Sequence, residues 1–139
     1  MAAGKFGGST LKLKSKLEHR TWAQLKGRGW KYESERIPYL FPIHLGICGD
    51  CKSKDVSKRR TYIPDFTKGT RHIEAKGKLD AQARVKLLAI KSSNPELDLR
   101  LVFQTDNWTT KKHTQRYTDW ATKHGFPCCV REIPKSWLA

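Results

Sequence analysis

The spacing of apolar and polar positions predicts a chain that begins with a helix and continues with strands. From residue 13 to residue 26, apolar side chains recur at helical spacing, and Gly27 and Gly29 follow as a stop signal. Residues 30–41 are rich in aromatic and β-favouring side chains, which predicts a strand with Pro38 at its edge or breaking it. An amphipathic first helix followed by a strand is therefore expected.

The rest of the chain alternates between the helical and the extended pattern. It is predicted to form strands over 62–66 and 72–76, a helix over 80–92, a buried strand over 97–104, a helix over 114–124 and a closing strand over 126–133. Lys68-Gly69-Thr70 is the expected turn between the first two strands, and Asn94-Pro95 and Gly125 end the two helices. Asp80 is a fair N-cap, and Trp137-Leu138 is expected to pack back onto the body. This order predicts an α/β domain with a mixed sheet.

The composition adds a strong positive charge to this picture. The chain has 139 residues, 37% of them hydrophobic, which suffices for one domain with a core. Its 28 lysines and arginines against 13 acids give a net charge of +15 and a pI near 9.9. Such a charge favours a polyanionic partner, whether RNA, DNA or an anionic membrane. No apolar run approaches the roughly 20 residues of a membrane span, so no membrane-spanning segment is predicted.

The N-terminal residues differ from the rest in composition. Residues 1–12 are predicted to form a flexible basic arm ahead of a single domain over residues 13–139. The arm lacks the apolar stretch of a secretory signal, so a cytoplasmic location is expected. The four cysteines would stay reduced there.

One short stretch in the middle of the chain carries the candidate chemistry: Asp65, then Glu74, then Lys76. Two carboxylates offer oxygen ligands to a hard divalent cation, and a lysine two residues after the second lies on the same side of a strand. The spacing alone also fits a solvated salt-bridge ladder on a hairpin. The apolar residues beside it, Tyr62-Ile63-Pro64 and Ile73, favour a metal-dependent nuclease site, because unpaired charge next to a core is costly and usually functional.

Six ordered motifs span nearly all of residues 13–138. They are Ser15-Lys-Leu-Glu18, Tyr62-Ile-Pro-Asp-Phe66, Ile73-Glu-Ala-Lys-Gly77, Asn94-Pro-Glu-Leu-Asp-Leu-Arg-Leu-Val-Phe103, Lys123-His-Gly125 and Ile133-Pro-Lys-Ser-Trp137. In this order they resemble the phage endonuclease I family of the PD-(D/E)xK nuclease superfamily. Members of that family, from T-odd phages, resolve Holliday junctions and other branched DNA.

The resemblance implies a fold, a cofactor and a set of site residues. The fold would be a restriction-endonuclease-like mixed β-sheet flanked by helices. Asp65 and Glu74 would hold Mg²⁺, with Mn²⁺ able to substitute, and Lys76 would be the catalytic lysine. Glu18, from the first helix, would be an additional catalytic acid and metal ligand. The resemblance further implies a domain-swapped homodimer in which exchanged N-terminal elements let Glu18 complete the partner's site, in the cytoplasm of a host cell.

A segment near residues 44–60 looks like an inserted hairpin relative to the family pattern. Cys48 and Cys51 supply two thiolates at zinc spacing, Cys128-Cys129 supplies two more, and His44 is a further candidate ligand. One interpretation is a structural Zn²⁺ site that joins the hairpin to the last strand. Free, partly buried thiols are the simpler interpretation, and a disulfide is less expected in a reducing compartment.

Basic residues outside the acidic cluster are the candidate DNA contacts. They are Lys58, Arg59 and Arg60 in a basic run, Lys78 and Arg84 beyond the catalytic strand, and Trp108, Lys111 and Lys112 in a later loop. For each, the alternative is a solvated surface loop. These residues do not form a recognition helix for base edges, so they suit recognition of DNA shape better than recognition of sequence.

These observations predict a structure-selective endodeoxyribonuclease that resolves Holliday junctions and other branched DNA by metal-dependent phosphodiester hydrolysis. A nicking homing or repair endonuclease on the same scaffold is the nearest alternative. A basic DNA-binding protein without catalysis is the alternative of a different class.

Overall fold

The computed structural model describes residues 12–44 and 55–139, with side chains over 12–42 and 57–139. In chain order the elements are α1 (Lys16–Leu25), β1 (Lys31–Tyr32), β2 (Ile37–His44), β3 (Asp55–Tyr62), β4 (Phe66–Lys68), β5 (Arg71–Lys76), α2 (Ala81–Ser93), β6 (Asp98–Phe103), α3 (Tyr117–Lys123), β7 (Cys128–Val130) and α4 (Lys135–Leu138). Asp80 begins α2 as predicted, because its carboxylate accepts a hydrogen bond from the Ala83 N–H at 2.9 Å. Within the described ranges, every helix is too short or too polar to cross a membrane.

Five strands form one mixed sheet in the order β1–β4–β5–β6–β7. The pairs β1–β4 and β4–β5 are antiparallel, whereas β5–β6 and β6–β7 are parallel. The parallel strands are joined through helices, α2 between β5 and β6 and α3 between β6 and β7, as parallel pairing requires. The predicted α/β class, with a mixed sheet flanked by helices, is confirmed.

The sheet carries a packed core on each of its faces. Leu101 and Phe103 of β6 belong to a first core with residues of α2, α3 and the β2–β3 pair. Val102, which points the other way, belongs to a second core with residues of α1 and with Trp137 of α4. The C-terminal tryptophan therefore packs onto the body as predicted, and the central strands are buried from both sides.

The strands β2 and β3 form a separate antiparallel ribbon. Its register runs from Ile37 opposite Tyr62 to His44 opposite Asp55. The predicted hairpin near 44–60 is thus part of a longer ribbon that begins at Ile37 and ends at Tyr62. The tip of the predicted hairpin, with Cys48 and Cys51, lies outside the described residues.

Two predicted strands are wrong in extent, because β-favouring composition continues across a change of sheet. The single strand over 30–41 is divided between β1, in the main sheet, and β2, in the ribbon. Between them Glu33 adopts a positive φ of 45°, which turns the chain. The strand over 62–66 is also divided: the ribbon ends at Tyr62, and β4 begins at Phe66. Pro64, buried between them, has no N–H to offer a ladder.

The predicted helices and the closing strand lie in the right places, but their ends differ. The first helix begins at Lys16, because the Ser15 hydroxyl accepts a hydrogen bond from the Glu18 N–H at 3.1 Å. The third helix begins only at Tyr117, since the residues before it form a loop closed by a bridge between Trp108 and Arg116. The closing strand is limited to β7, and α4 was not predicted.

Candidate active site

Strand pairing brings Asp65 and Glu74 to one place. Because β4 and β5 are antiparallel, with Phe66 opposite Ile73, the residue before β4 lies beside the second half of β5. The Asp65 carboxylate oxygen Oδ2 accepts a hydrogen bond from the Ala75 N–H at 2.9 Å. The predicted convergence of the two carboxylates across the turn is therefore present in the fold.

Glu74 is a buried carboxylate with two neighbours. The Tyr62 hydroxyl donates a hydrogen bond to Glu74 Oε1 at 2.5 Å. The Lys76 ammonium lies 3.6 Å from the other oxygen, Oε2, so the lysine and the glutamate share one side of β5 as the period-two spacing predicts. Ile73 points to the opposite face, into the second core.

The charge of the acidic pair is only partly compensated. Burial, followed by the charge of Glu74, raises the pKa of Asp65 to about 8. Burial also raises the pKa of Glu74, and the nearby Lys76 charge and Tyr62 hydroxyl offset only part of that cost. Two neighbouring buried carboxylates with one partly exposed lysine make a site that gains from a further cation. Their oxygen donors fit a hard divalent ion such as Mg²⁺.

Glu18 lies near this pair without joining it. Its side chain is buried, and its Oε1 accepts a hydrogen bond from the Tyr32 hydroxyl at 2.8 Å. Its charge contributes to the raised pKa of Asp65, which places it on the site's side of α1. Across residues 12–44 and 55–139, however, no three histidine, cysteine or acidic side chains gather closely enough to bind one ion. A ligand set of Glu18, Asp65 and Glu74 therefore stays a prediction.

Sequence reasoning did not find the two tyrosines that contact the glutamates. Tyr62 belongs to the apolar frame and to a family motif, but its sequence context predicts no role for its hydroxyl, and none is predicted for Tyr32. Each hydroxyl donates a hydrogen bond to a glutamate in the folded chain, that of Tyr62 to Glu74 and that of Tyr32 to Glu18. Both contacts depend on how the ribbon and β1 pack, and no local spacing signals them. An aromatic residue with a polar tip three positions before Asp65 was the one available hint.

The two adjacent cysteines of β7 pack against different cores. Cys128 packs against the first core and Cys129 against the second, because successive side chains of a strand point to opposite faces. Burial raises the pKa of both thiols, that of Cys129 to about 12, so they favour the neutral form. The hypothesis of a zinc site with all four cysteines stays a prediction, since Cys48, Cys51 and the His44 side chain lie outside the described residues.

The ribbon presents a row of exposed cations. Lys58, Arg59 and Arg60 are exposed on β3, and the Arg60 guanidinium stacks over the Phe41 ring at 4.1 Å from its centroid. Because β3 ends at Tyr62, this row leads to the acidic site. Its position fits the predicted contact with a phosphate backbone.

A cleft of about 430 Å³ lies just beyond the end of β5. Lys78, Trp108 and Lys111 line it. Trp108 is held between His113, with ring centroids 5.2 Å apart, and Arg116, whose guanidinium is 4.1 Å from the ring centroid. The loop predicted to face DNA is thus an ordered wall of this cleft.

Arg84 has a different position from the other predicted DNA contacts. Its Nη1 donates hydrogen bonds to the carbonyl oxygens of Leu79 at 2.8 Å and Thr109 at 3.1 Å. These bonds tie the start of α2 to the loop that forms the cleft wall. Arg84 therefore stabilises two segments that line the cleft.

Comparisons with known proteins give matches over most of the chain. The family model for phage endonuclease I matches residues 1–139. Endonuclease I of Escherichia phage T7 is 30% identical over 130 residues, which cover 91% of this chain and 78% of the relative. Endodeoxyribonuclease 1 of Enterobacteria phage T3 is 34% identical over 126 residues, which cover 88% of this chain and 74% of the relative.

Proposed function

The chain belongs to the phage endonuclease I family, and from this we propose that it resolves Holliday junctions and other branched DNA by Mg²⁺-dependent phosphodiester hydrolysis. Mn²⁺ is expected to substitute for Mg²⁺. The observation that carries the proposal is the buried pair of Asp65 and Glu74, undercompensated in charge and flanked by Lys76. A structural ion-pair ladder would balance its charges, whereas the lysine here offsets only part of the cost of burying two carboxylates.

The residues of the site have separate roles in this reaction. Asp65 and Glu74 hold the ion through carboxylate oxygens. The bound ion lowers the pKa of water and neutralises charge on the phosphate. Lys76, whose ammonium lies 3.6 Å from Glu74 Oε2, orients the attacking water or neutralises the developing phosphate charge. Glu18 adds a further negative charge from α1.

The two basic surfaces suit a branched duplex. The exposed ribbon cations lie on β3, which ends at Tyr62 beside Glu74, and Lys78 of the cleft follows Lys76 by two residues. Contacts of lysine and arginine with phosphates position a duplex without reading its sequence. Two such surfaces that meet at one acidic site favour a substrate whose arms diverge at the point of cleavage.

Substrate preference tests this proposal. A four-way junction and a linear duplex of the same arm sequences are incubated with the protein and Mg²⁺, and cleavage rates are compared. We expect the junction to be cut and the duplex to be nearly resistant. Equal cleavage rates on both substrates would contradict junction resolution and favour a nicking endonuclease. Binding of both without cleavage in Mg²⁺ or Mn²⁺ would leave a DNA-binding protein.

We also propose that the protein acts as a homodimer with exchanged N-terminal elements. In the described chain, α1 and β1 dock on the chain's own sheet, with β1 paired to β4 and the Glu33 N–H bonded to the Asp65 carbonyl at 2.9 Å. The short connection over residues 33–36 links this unit to the ribbon. If the connection opens, the same contacts form on a partner, and Glu18 enters the partner's site.

Mixing of inactive variants tests the exchange. Glu18→Ala and Glu74→Ala chains are refolded together, and cleavage of a junction is measured. An exchanged heterodimer contains one intact site, so activity should return. The matched control mixes Asp65→Ala with Glu74→Ala, whose defects lie in the same body and cannot complement. Failure of the first mixture to exceed the second would refute the exchange.

A further inference from the structure

We propose that Tyr62 and Tyr32 are positioning residues that hold the glutamates of the site in a ligand-ready orientation. Each hydroxyl donates to Oε1 of its glutamate, Tyr62 to Glu74 at 2.5 Å and Tyr32 to Glu18 at 2.8 Å. Each contact therefore fixes one oxygen of its carboxylate. This inference rests on the proposed function and assigns roles to two residues within its site.

Tyr62 is fixed by its surroundings. It is the last residue of β3, its side chain is 3% exposed, and it belongs to the first core. The Lys86 ammonium lies 5.6 Å from the centroid of its ring. A hydroxyl held this firmly imposes its position on the carboxylate that accepts from it.

The hydrogen bond matters because of where it acts on Glu74. A glutamate has three rotatable side-chain bonds, and a ligand that is not held must be ordered when the ion binds. A charge-assisted hydrogen bond to Oε1 removes this freedom in advance. The other oxygen, Oε2, is the one that lies 3.6 Å from the Lys76 ammonium. Partners of this kind orient metal ligands in many proteins.

Tyr32 repeats the arrangement on the other acid. It lies on β1, paired to β4, and its ring packs against Phe66 with centroids 5.5 Å apart. Because Tyr32 and Glu18 both precede the connection over residues 33–36, they form one unit with α1. If the N-terminal elements are exchanged, the oriented glutamate is delivered together with the residue that orients it.

Metal affinity without DNA is the first test. Mn²⁺ is titrated calorimetrically into wild type, Tyr62→Phe and the control Tyr39→Phe. Tyr39 is equally buried in the first core, and its hydroxyl forms no hydrogen bond with another described residue. We expect Tyr62→Phe to weaken Mn²⁺ binding by about 10-fold or more, as losses of such partners do. Tyr39→Phe should stay within about twofold of wild type, since its hydroxyl touches no metal ligand.

A double-mutant cycle separates positioning from packing. On a Glu74→Gln background, Tyr62→Phe should have no further effect on Mn²⁺ affinity, because the oriented carboxylate is already lost. In cleavage assays, Tyr62→Phe should raise the half-saturating Mg²⁺ concentration while kcat at saturating Mg²⁺ largely recovers. A merely structural role would lower kcat at every Mg²⁺ concentration.

The outcomes distinguish this inference from the proposed function. If Tyr62→Phe and Tyr39→Phe bind Mn²⁺ equally well, the positioning role is refuted even if the protein cuts junctions. If Tyr62→Phe does not fold, the half-buried Tyr32→Phe takes its place, with a smaller expected loss and the same interpretation. If Mn²⁺ binding depends on the tyrosines but no branched DNA is cut, the inference stands and junction resolution fails.

Discussion

Acidic side chains lie near both ends of the β5–β6 pair, but their neighbours and their burial differ between the two ends. At one end, Asp65 and Glu74 are brought together beside the core with Lys76 as the nearest cation. At the opposite end, Asp98 forms two hydrogen bonds of 2.9 Å with the Arg100 guanidinium. Glu35 and Glu96 accompany it at the rim of an open cavity of about 560 Å³.

The difference is one of burial and compensation. Asp98 keeps 34% of its side chain exposed and has an arginine of its own, so its charge is stabilised within the fold. Burial raises the pKa values of Asp65 and Glu74, and the charge of Glu74 raises that of Asp65 further. Buried carboxylates that destabilise the fold are typical of functional sites. The proposed function therefore assigns catalysis to the end with Asp65 and Glu74, and a structural role to the ion pair of Asp98.

The largest expected effect separates these two ends. Glu74→Gln should reduce junction cleavage by at least about 1,000-fold, since it removes a metal ligand worth several kcal/mol in the transition state. Asp98→Asn, the matched control, should leave the cleavage rate within about twofold, because the Asp98 side chain is hydrogen-bonded to Arg100 at the opposite end of the strands. Single-turnover assays on a labelled junction measure both rates. A similar loss in both variants would erase the distinction.

Lys76→Ala should cause the next largest effect. We expect a loss of about 100-fold or more in cleavage, the range for removal of a group that acts on the nucleophile. Junction affinity in the absence of metal should change little, because one charge among 28 cations is lost. Gel-shift and cleavage assays on the same preparation make the comparison. Loss of binding in proportion to loss of cleavage would instead assign Lys76 to DNA contact.

The pH dependence of stability sharpens the contrast further. The folded metal-free protein holds a proton on Asp65 up to a pKa of about 8, whereas the unfolded chain releases it near 3.8. Stability from this group is thus complete below about pH 4 and is lost as the pH rises towards 8. Asp65→Asn should therefore raise the melting temperature relative to wild type, by at least about 3 °C at pH 8 and by less at pH 5. A difference that is constant with pH would contradict the assigned cause.

The smallest expected effect belongs to the structural end. Arg100→Gln removes the ion pair with Asp98 and the contact of the guanidinium with Trp137, 5.5 Å from the ring centroid. We expect a loss of about 1 kcal/mol in the free energy of unfolding. Urea denaturation measures it. Cleavage by the folded variant should match wild type, and a strong loss would show that the two ends are coupled.

The sequence predicts the acidic pair well because its geometry is local. A turn at Gly69, whose φ of 62° favours glycine, joins β4 to β5, and the period of two then places Glu74 and Lys76 on one side. The tyrosine contacts are not local. Tyr62 reaches Glu74 only because the ribbon ends beside β5, and Tyr32 reaches Glu18 only because α1 and β1 pack together.

Composition did not predict the change of sheet between β1 and β2. Residues 30–41 look like one strand because each half is β-favouring, yet the halves belong to the main sheet and to the ribbon. The change of sheet depends on which strand each half pairs with, and pairing partners cannot be read from a single segment. Glu18 is a parallel case. An exposed helical glutamate and a buried site glutamate have the same local sequence, so only the family resemblance pointed to it.

The location of the bound metal tests the central claim most directly. Crystals of the protein are soaked in Mn²⁺, and an anomalous difference map locates the ion by its anomalous scattering. The account predicts a peak between the carboxylate oxygens of Asp65 and Glu74. A peak at Asp98 and Glu96 with none at the acidic pair would contradict it.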